Sequence, residues 1–185
     1  SNHKQVLSSV VQDKMLFLPL WDEKRSVRKI QDLAEKMPID HVIGVDEQSV
    51  VIAALANEVL NLPDNSSESV RATRDKYLMR KRLEEGGVHT PEFYLFDFPT
   101  GHEVITRKLT YPLVLKPTFL SMGMGVIKVT NNSECKGALK TIRSILQKKE
   151  NKRLGGDSAG SLLAEEFIHG TEVALEGIVI DGKLK

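Results

Sequence analysis

The stretch Leu113-Val114-Leu115-Lys116-Pro117-Thr118-Phe119-Leu120-Ser121-Met122-Gly123-Met124-Gly125 decides the fold of this chain. Its first four residues predict a short strand, and Pro117, with no N–H to give a ladder, forces the chain out of it. A lysine closing an apolar strand either snorkels to solvent or faces a bound anion. The loop that follows favours the anion. Its two glycines lie two apart and lead into Val126-Ile127-Lys128-Val129, so backbone N–H groups can point together at a phosphate. An ammonium beside such a nest offers a triphosphate a point charge and several directed donors. No Gly-Lys-Ser/Thr ending makes a Walker loop here. No three-glycine turn follows an early strand, which disfavours a dinucleotide oxidoreductase.

Upstream, about Ser69 to Glu85 predicts one helix, packed by Val70, Tyr77, Leu78 and Leu83 and stopped by Gly86-Gly87, with Pro91 beyond. It carries Arg74-Asp75-Lys76-Tyr77-Leu78-Met79-Arg80, in which Lys76 and Arg80 are four apart and share a face. Taken alone, that pair is an ordinary solvated stripe. Earlier still, Met15–Leu20 and His41–Val45 predict buried strands, followed by helices over Asp22–Met37 and Val51–Leu60. Strand, helix, strand, helix argues for a parallel sheet with crossover helices. The loop Asn61–Ser67 punctuates this unit.

Downstream the texture is α+β. Glu92–Phe96 and Val126–Val129 predict strands, Ser133–Lys149 an amphipathic helix, and Lys148–Ser161 a mobile loop. Leu162–Ile168 and Glu172–Ile180 predict the closing strands, with Asp181-Gly182 as a hairpin turn. The return strand Lys183-Leu184-Lys185 has barely begun, so a continuation is expected. Between the closing strands lies Glu165-Glu166-Phe167-Ile168-His169-Gly170-Thr171-Glu172. Adjacent carboxylates are often a solvated face. Alternatively, extended backbone at 165–168 can meet an adenine edge, and Glu172 can accept two hydrogen bonds from a ribose diol.

Composition narrows the classes further. The 185 residues carry 26 Lys+Arg against 25 Asp+Glu, a net charge of +1, so no global field favours nucleic acid or an anionic membrane. The lone Cys135 excludes an intrachain disulfide framework and a multi-cysteine metal site. No apolar run approaches the ~18 residues of a membrane span. A soluble, cytoplasmic protein is expected.

Together these pieces resemble the ATP-grasp superfamily. The matching residues are Arg74-Asp75-Lys76, Met79-Arg80, Leu83, Gly87-Val88, Pro91 with Phe93, Pro112–Pro117, the Gly123/Gly125 loop, and Glu165–Ile168 with Gly170 and Glu172. The steps from Lys76 to Lys116, Glu165 and Glu172 are 40, 49 and 7 residues. Asp46-Glu47 and Leu62-Pro63 look most like the carboxylate–amine ligases, including amino-acid ligases, with carbamoyl phosphate synthetase more distant.

The resemblance implies a partial ATP-grasp of α/β and α+β class. A truncated Rossmann-like N-terminal unit with linking helix occupies 1–90, the first lobe 91–168, and an incomplete start of the second lobe 169–185. It implies an ATP-dependent ligase that activates a carboxylate as an acyl phosphate for attack by an amine, catalytically incomplete as this fragment. Lys76 and Lys116 match phosphate-contacting lysines, and Ser121, Gly123 and Gly125 belong to the phosphate cover. Glu165 and Ile168 match backbone adenine readers, Glu166 a hinge position and Glu172 the ribose carboxylate. Magnesium is implied as cofactor beside ATP, with its ligands downstream of Lys185, and no catalytic residue is named in the chain. Implied partners are ATP and a small carboxylate or amine, with a homo-oligomer left open. Phe119, Leu120, Met122 and Met124 depart from the Gly/Ser-rich cover of many relatives. Two alternatives stay in view: a non-catalytic nucleotide-binding or interaction module, and a biotin carboxylase-type ATP-grasp, which the glycine-poor loop disfavours.

Overall fold

The structure is a computed structural model that describes residues 15–180 and 182–185. Helix α1 (Glu23–Ala34) begins where Asp22 accepts a hydrogen bond from the Arg25 N–H at 3.0 Å. Its Ile30 packs on Ile52 and Ala56 of α2 (Val50–Val59). The small residues Ala53, Ala54 and Ala56 of α2 are buried at 5% exposure or less, and they let its neighbours come close.

The predicted parallel sheet is not found among the described residues. Among the described residues neither Met15–Leu20 nor His41–Val45 forms a strand. At the second run the reason is visible. Val42 gives its N–H to Asn57 Oδ1 at 2.9 Å, and its carbonyl accepts from Asn57 Nδ2 at 2.8 Å. A fully buried side chain from α2 thus takes the place of a neighbouring strand.

The single helix expected over 69–85 is two: α3 (Ser67–Arg74) and α4 (Lys76–Glu85). Asp75 sits between them with extended backbone (φ −117°, ψ 114°), and its Oδ1 accepts from the N–H groups of Tyr77 and Leu78 at 2.9 and 3.0 Å. An aspartate in that pose ends one helix and caps the next. As expected, α4 stops at Gly86-Gly87. Gly87 has φ +72°, and the Gly87 and Val88 N–H groups reach back to Glu84 and Leu83 carbonyls, which is a Schellman closure.

The remaining elements build one lobe. Strands β1 (Phe93–Asp97), β2 (Leu113–Pro117), β3 (Ile127–Val129) and β4 (Ser161–Glu166) form an antiparallel sheet in the order β1-β4-β2-β3. Alternation sorts their side chains. Leu113, Leu115, Leu162 and Ala164 share one face and are fully buried. They pack with Cys135, Ala138, Leu139, Ile142 and Leu146 of α6 (Asn132–Leu146) and with Ile105 of a short helix α5 (His102–Thr106) that the sequence reading missed. Val114, Lys116, Leu163, Glu165 and Phe93 share the opposite face. There Tyr77 of α4 meets Phe93 edge-on at 5.9 Å.

Two further expectations are corrected. The segment read as a mobile loop, 148–161, holds helix α7 (Lys149–Gly155) and a 3-10 turn (Gly156–Gly160). The side-chain amide of Asn151, 7% exposed, pins α7 by donating to the Ile145 carbonyl at 2.8 Å. The strand expected over 172–180 shrinks to β5 (Val179–Ile180), paired with β6 (Lys183–Leu184). Val173 and Leu175 are 83% and 85% exposed, so none of the described residues offers them a face to bury against. Gly182 has φ +73°, in keeping with the expected hairpin turn, whose Asp181 lies outside the described residues.

Candidate functional site

The break at Asp75 makes Lys76 the first residue of α4, and its backbone N–H donates to the Thr118 carbonyl at 2.8 Å. The Lys76 ammonium turns to the same loop, donating to the carbonyls of Leu120 and, at 3.5 Å, of Thr118. Lys116, at the end of β2, is near enough that its charge acts on Lys76. Burial first, then Lys116 and Arg74, push the Lys76 ammonium below its ordinary pKa. A partly desolvated ammonium beside two other cations is a place where a polyanion relieves repulsion. The two lysines, 40 residues apart in sequence, thus lie near enough for their charges to act on each other.

Lys116 is held from the other side. Its ammonium pairs with Glu165 Oε1. The Arg80 guanidinium grips the same carboxylate, Nε to Oε2 at 3.0 Å and Nη2 to Oε1 at 3.3 Å. The register explains the meeting. Glu165 lies opposite Val114, and Lys116 lies two residues further along the same face of β2. Arg80, one turn beyond Lys76 on α4, reaches down onto that face. Burial raises the pKa of Glu165, but the hydrogen bonds and charges of Arg80 and Lys116 outweigh it and hold the carboxyl below its ordinary range. The resemblance put only the Glu165 backbone to use, and it gave Arg80 no role. Two signals marked Arg80, its i, i+4 spacing from Lys76 and its place among the residues that match the family.

The loop 118–125 has the backbone the glycines foretold. Met122, Gly123 and Gly125 have φ of 55°, 70° and 76°. The Met124 N–H bonds to the Ser121 carbonyl and that of Val126 to the Gly123 carbonyl, both at 3.1 Å, so two tight turns follow each other. Gly125 is required for space as well. A Cβ there would stand 3.0 Å from Cδ and Cγ of Pro117. Met122, at 99% exposure, carries the tip into solvent.

A cleft of about 810 Å³ opens between this lobe and the N-terminal helices, with Glu47, Arg74, Asp75, Leu120, Ser121 and Arg153 among its lining. Its rim is tied by an ion pair between Arg74 and Glu47, and Arg74 Nε also donates to the Glu47 carbonyl at 3.0 Å.

The remaining predicted residues are placed as follows. Glu166 is exposed and uses its N–H on the Glu92 carbonyl at 2.9 Å. Ile168 is 65% exposed just past β4, beside Phe167, whose ring lies 3.6 Å beneath the Lys128 ammonium. Glu172 is exposed in the irregular segment before β5. It makes no hydrogen bond to Lys76, Lys116 or Glu165, and of the predicted site residues only Ser121 lines the cleft. The convergence therefore covers the two lysines, Glu165 and the loop, and leaves Glu172 apart. For magnesium the donors do not fit. Among the described residues no three His, Cys, Asp or Glu side chains gather as a metal site. No helix among the described residues is long and apolar enough to cross a membrane.

Comparison with known proteins is consistent with this geometry. Residues 2–64 match the family model described as the ATP-grasp N-terminal domain, and residues 109–184 match the ATP-grasp domain. The chain is 25% identical over 173 residues to the alanine–anticapsin ligase of Bacillus subtilis (strain 168), which is 87% of this chain and 36% of that protein. It is 30% identical over 139 residues to a D-alanine–D-alanine ligase of Neisseria meningitidis serogroup C, covering 74% of this chain and 40% of that one. The crystal structure of an L-amino acid ligase from Bacillus licheniformis superposes with a TM-score of 0.73 at 32% identity, covering 90% of this chain and 39% of that one. The chain thus spans well under half the length of the relatives it matches. With two family models covering most of its length and the lysine–loop arrangement in place, the chain belongs to the ATP-grasp superfamily.

Proposed function

We propose that this chain is the ATP-binding part of an ATP-dependent carboxylate–amine ligase, catalytically incomplete by itself, acting in the cytoplasm on a small carboxylate and an amine. The observation that carries the reading is the seating of the Lys76 ammonium on a loop with three left-handed residues in four positions, near enough to Lys116 for the two charges to act on each other. In such a reaction a carboxylate oxygen attacks the γ-phosphorus of ATP, the bond to the bridging oxygen breaks, and ADP leaves. The amine nitrogen then attacks the acyl carbon, phosphate departs with the carbon–oxygen electron pair, and the nitrogen gives up a proton. Phosphoryl transfer asks a protein chiefly to position groups and to neutralise charge. Here the ammonium groups of Lys76 and Lys116 meet the phosphates, and Ser121, Gly123 and Gly125 form the cover that keeps water from the acyl phosphate. The backbone of Glu165 and Ile168 reads the adenine, Glu166 stands at the hinge, and Glu172 takes the ribose hydroxyls once the 169–185 segment folds with the rest of a second lobe. On this reading 1–90 serves the acceptor side and 91–168 is the first lobe. No magnesium ligand is assigned among the residues described.

The test is ADP release by the full-length protein, with ATP and a panel of amino acids. ADP and phosphate are expected in equal amounts with at least one carboxylate and amine pair. In calorimetry Lys116→Ala is expected to weaken ATP binding by about tenfold or more, the scale of one charge-assisted contact. Absence of ADP release with every carboxylate tried, together with unchanged ATP affinity in Lys116→Ala, refutes the assignment.

A further inference from the structure

We propose that Arg80 is a positioning residue, which neutralises Glu165 so that the Lys116 ammonium stays available to a polyphosphate. This rests on the nucleotide-binding reading of the site and adds to it a role for two side chains. The three groups are buried together, with Glu165, Lys116 and Arg80 side chains 7%, 12% and 18% exposed. In so dry a setting a carboxylate facing one lysine binds it tightly and cancels its charge. Arg80 changes that balance. It takes Oε2 alone and shares Oε1 with Lys116, so the lysine is left with one divided acceptor. One anion among three groups leaves the triad a net charge of +1, and Lys76 adds to the positive field. Glu165 then works as a fulcrum: strong enough to hold both cations on the sheet face, too heavily shared to keep Lys116 from a phosphate. Leu163, fully buried and opposite Lys116 on the same face, supports the lysine stem.

The roles separate in a charge-swap cycle read by calorimetry on the full-length protein, using ATP and AMP as probes. Arg80→Gln leaves Glu165 unopposed on Lys116, and ATP affinity is expected to fall about tenfold, with AMP changing by less than about threefold. Arg80→Lys, which restores the charge but not the fork, recovers part of the loss. The decisive variant removes both charges. Arg80→Gln combined with Glu165→Gln frees Lys116 again, so ATP affinity returns to within about threefold of the wild type. A merely structural pair would give a double variant as weak as the single one or weaker, and that result overturns the proposal. Should Arg80→Gln fail to fold, Glu165→Gln alone decides. Unchanged or tighter ATP binding supports the role, and a loss of about tenfold or more overturns it. If the wild type binds ATP and Lys116→Ala weakens it while Arg80→Gln does not, this inference fails and the nucleotide site stands. If the wild type does not bind ATP, both fall.

Discussion

Replacing Asp75 by alanine tests whether the helix break is what delivers Lys76. Asp75 Oδ1 accepts from the Tyr77 and Leu78 N–H groups at 2.9 and 3.0 Å, the second and third donors of α4. Loss of such a cap costs about 1 kcal/mol. Removing a negative charge from a helix N-terminus adds about 0.3–1 kcal/mol. The Asp75→Ala variant should therefore be about 1.5 kcal/mol less stable, which in a chain of this size lowers the melting temperature by about 3–6 °C. A second effect follows from geometry. Alanine favours helix, so α3 and α4 tend to fuse through position 75, and the Lys76 N–H is drawn from the Thr118 carbonyl it now meets at 2.8 Å. ATP affinity should drop with stability. Asp75→Asn keeps a side-chain acceptor and should lose only the charge contribution, less than about 1 kcal/mol. Thermal melts and ATP titration of both variants decide the matter. An Asp75→Ala protein as stable as the wild type and equal to it in ATP binding would refute the idea that this cap positions the lysine.

Two other outcomes are expected. Gly125→Ala places a side chain at φ +76° with its Cβ 3.0 Å from Pro117, so it should lose about 1–2 kcal/mol from left-handed strain and more from the contact. Gly123→Ala, at φ +70° with open space around it, bears the strain alone, and denaturant titration should rank the two in that order. In acid, Glu165 sets a sign that can be checked. Its folded pKa lies below its ordinary value, so its contribution is fully present above the ordinary glutamate range of about 4.3 and is lost as pH falls through the lower folded value. Stability measured between pH 6 and 3, roughly spanning that range, should fall less steeply in Glu165→Gln than in the wild type.

The lobe was legible in the sequence because its signals are local. Leu113–Lys116 alternates toward one core, and Ala138, Leu139, Ile142 and Leu146 keep helical spacing on α6. The elements that were misread turn on single side-chain contacts that periodicity does not reveal. His41–Val45 has the β-branched texture of a strand, yet Val42 spends both of its backbone groups on Asn57, fifteen residues away. The helix over 69–85 reads as continuous by periodicity, and only the capping chemistry of Asp75 divides it. At the site, glycine spacing announced the left-handed loop, and the family resemblance alone paired the two lysines. The fork of Arg80 onto Glu165 was hidden, because it joins residues 85 apart across a sheet whose register no local pattern reveals.

The Lys76 ammonium, fastened to the carbonyls of Thr118 and Leu120, ties the root of the loop to the start of α4. An anion that binds this ammonium shares it with the loop's own oxygens. The contact that would meet a ligand is therefore also the one that fastens the loop to α4, so binding there is coupled to the loop's position.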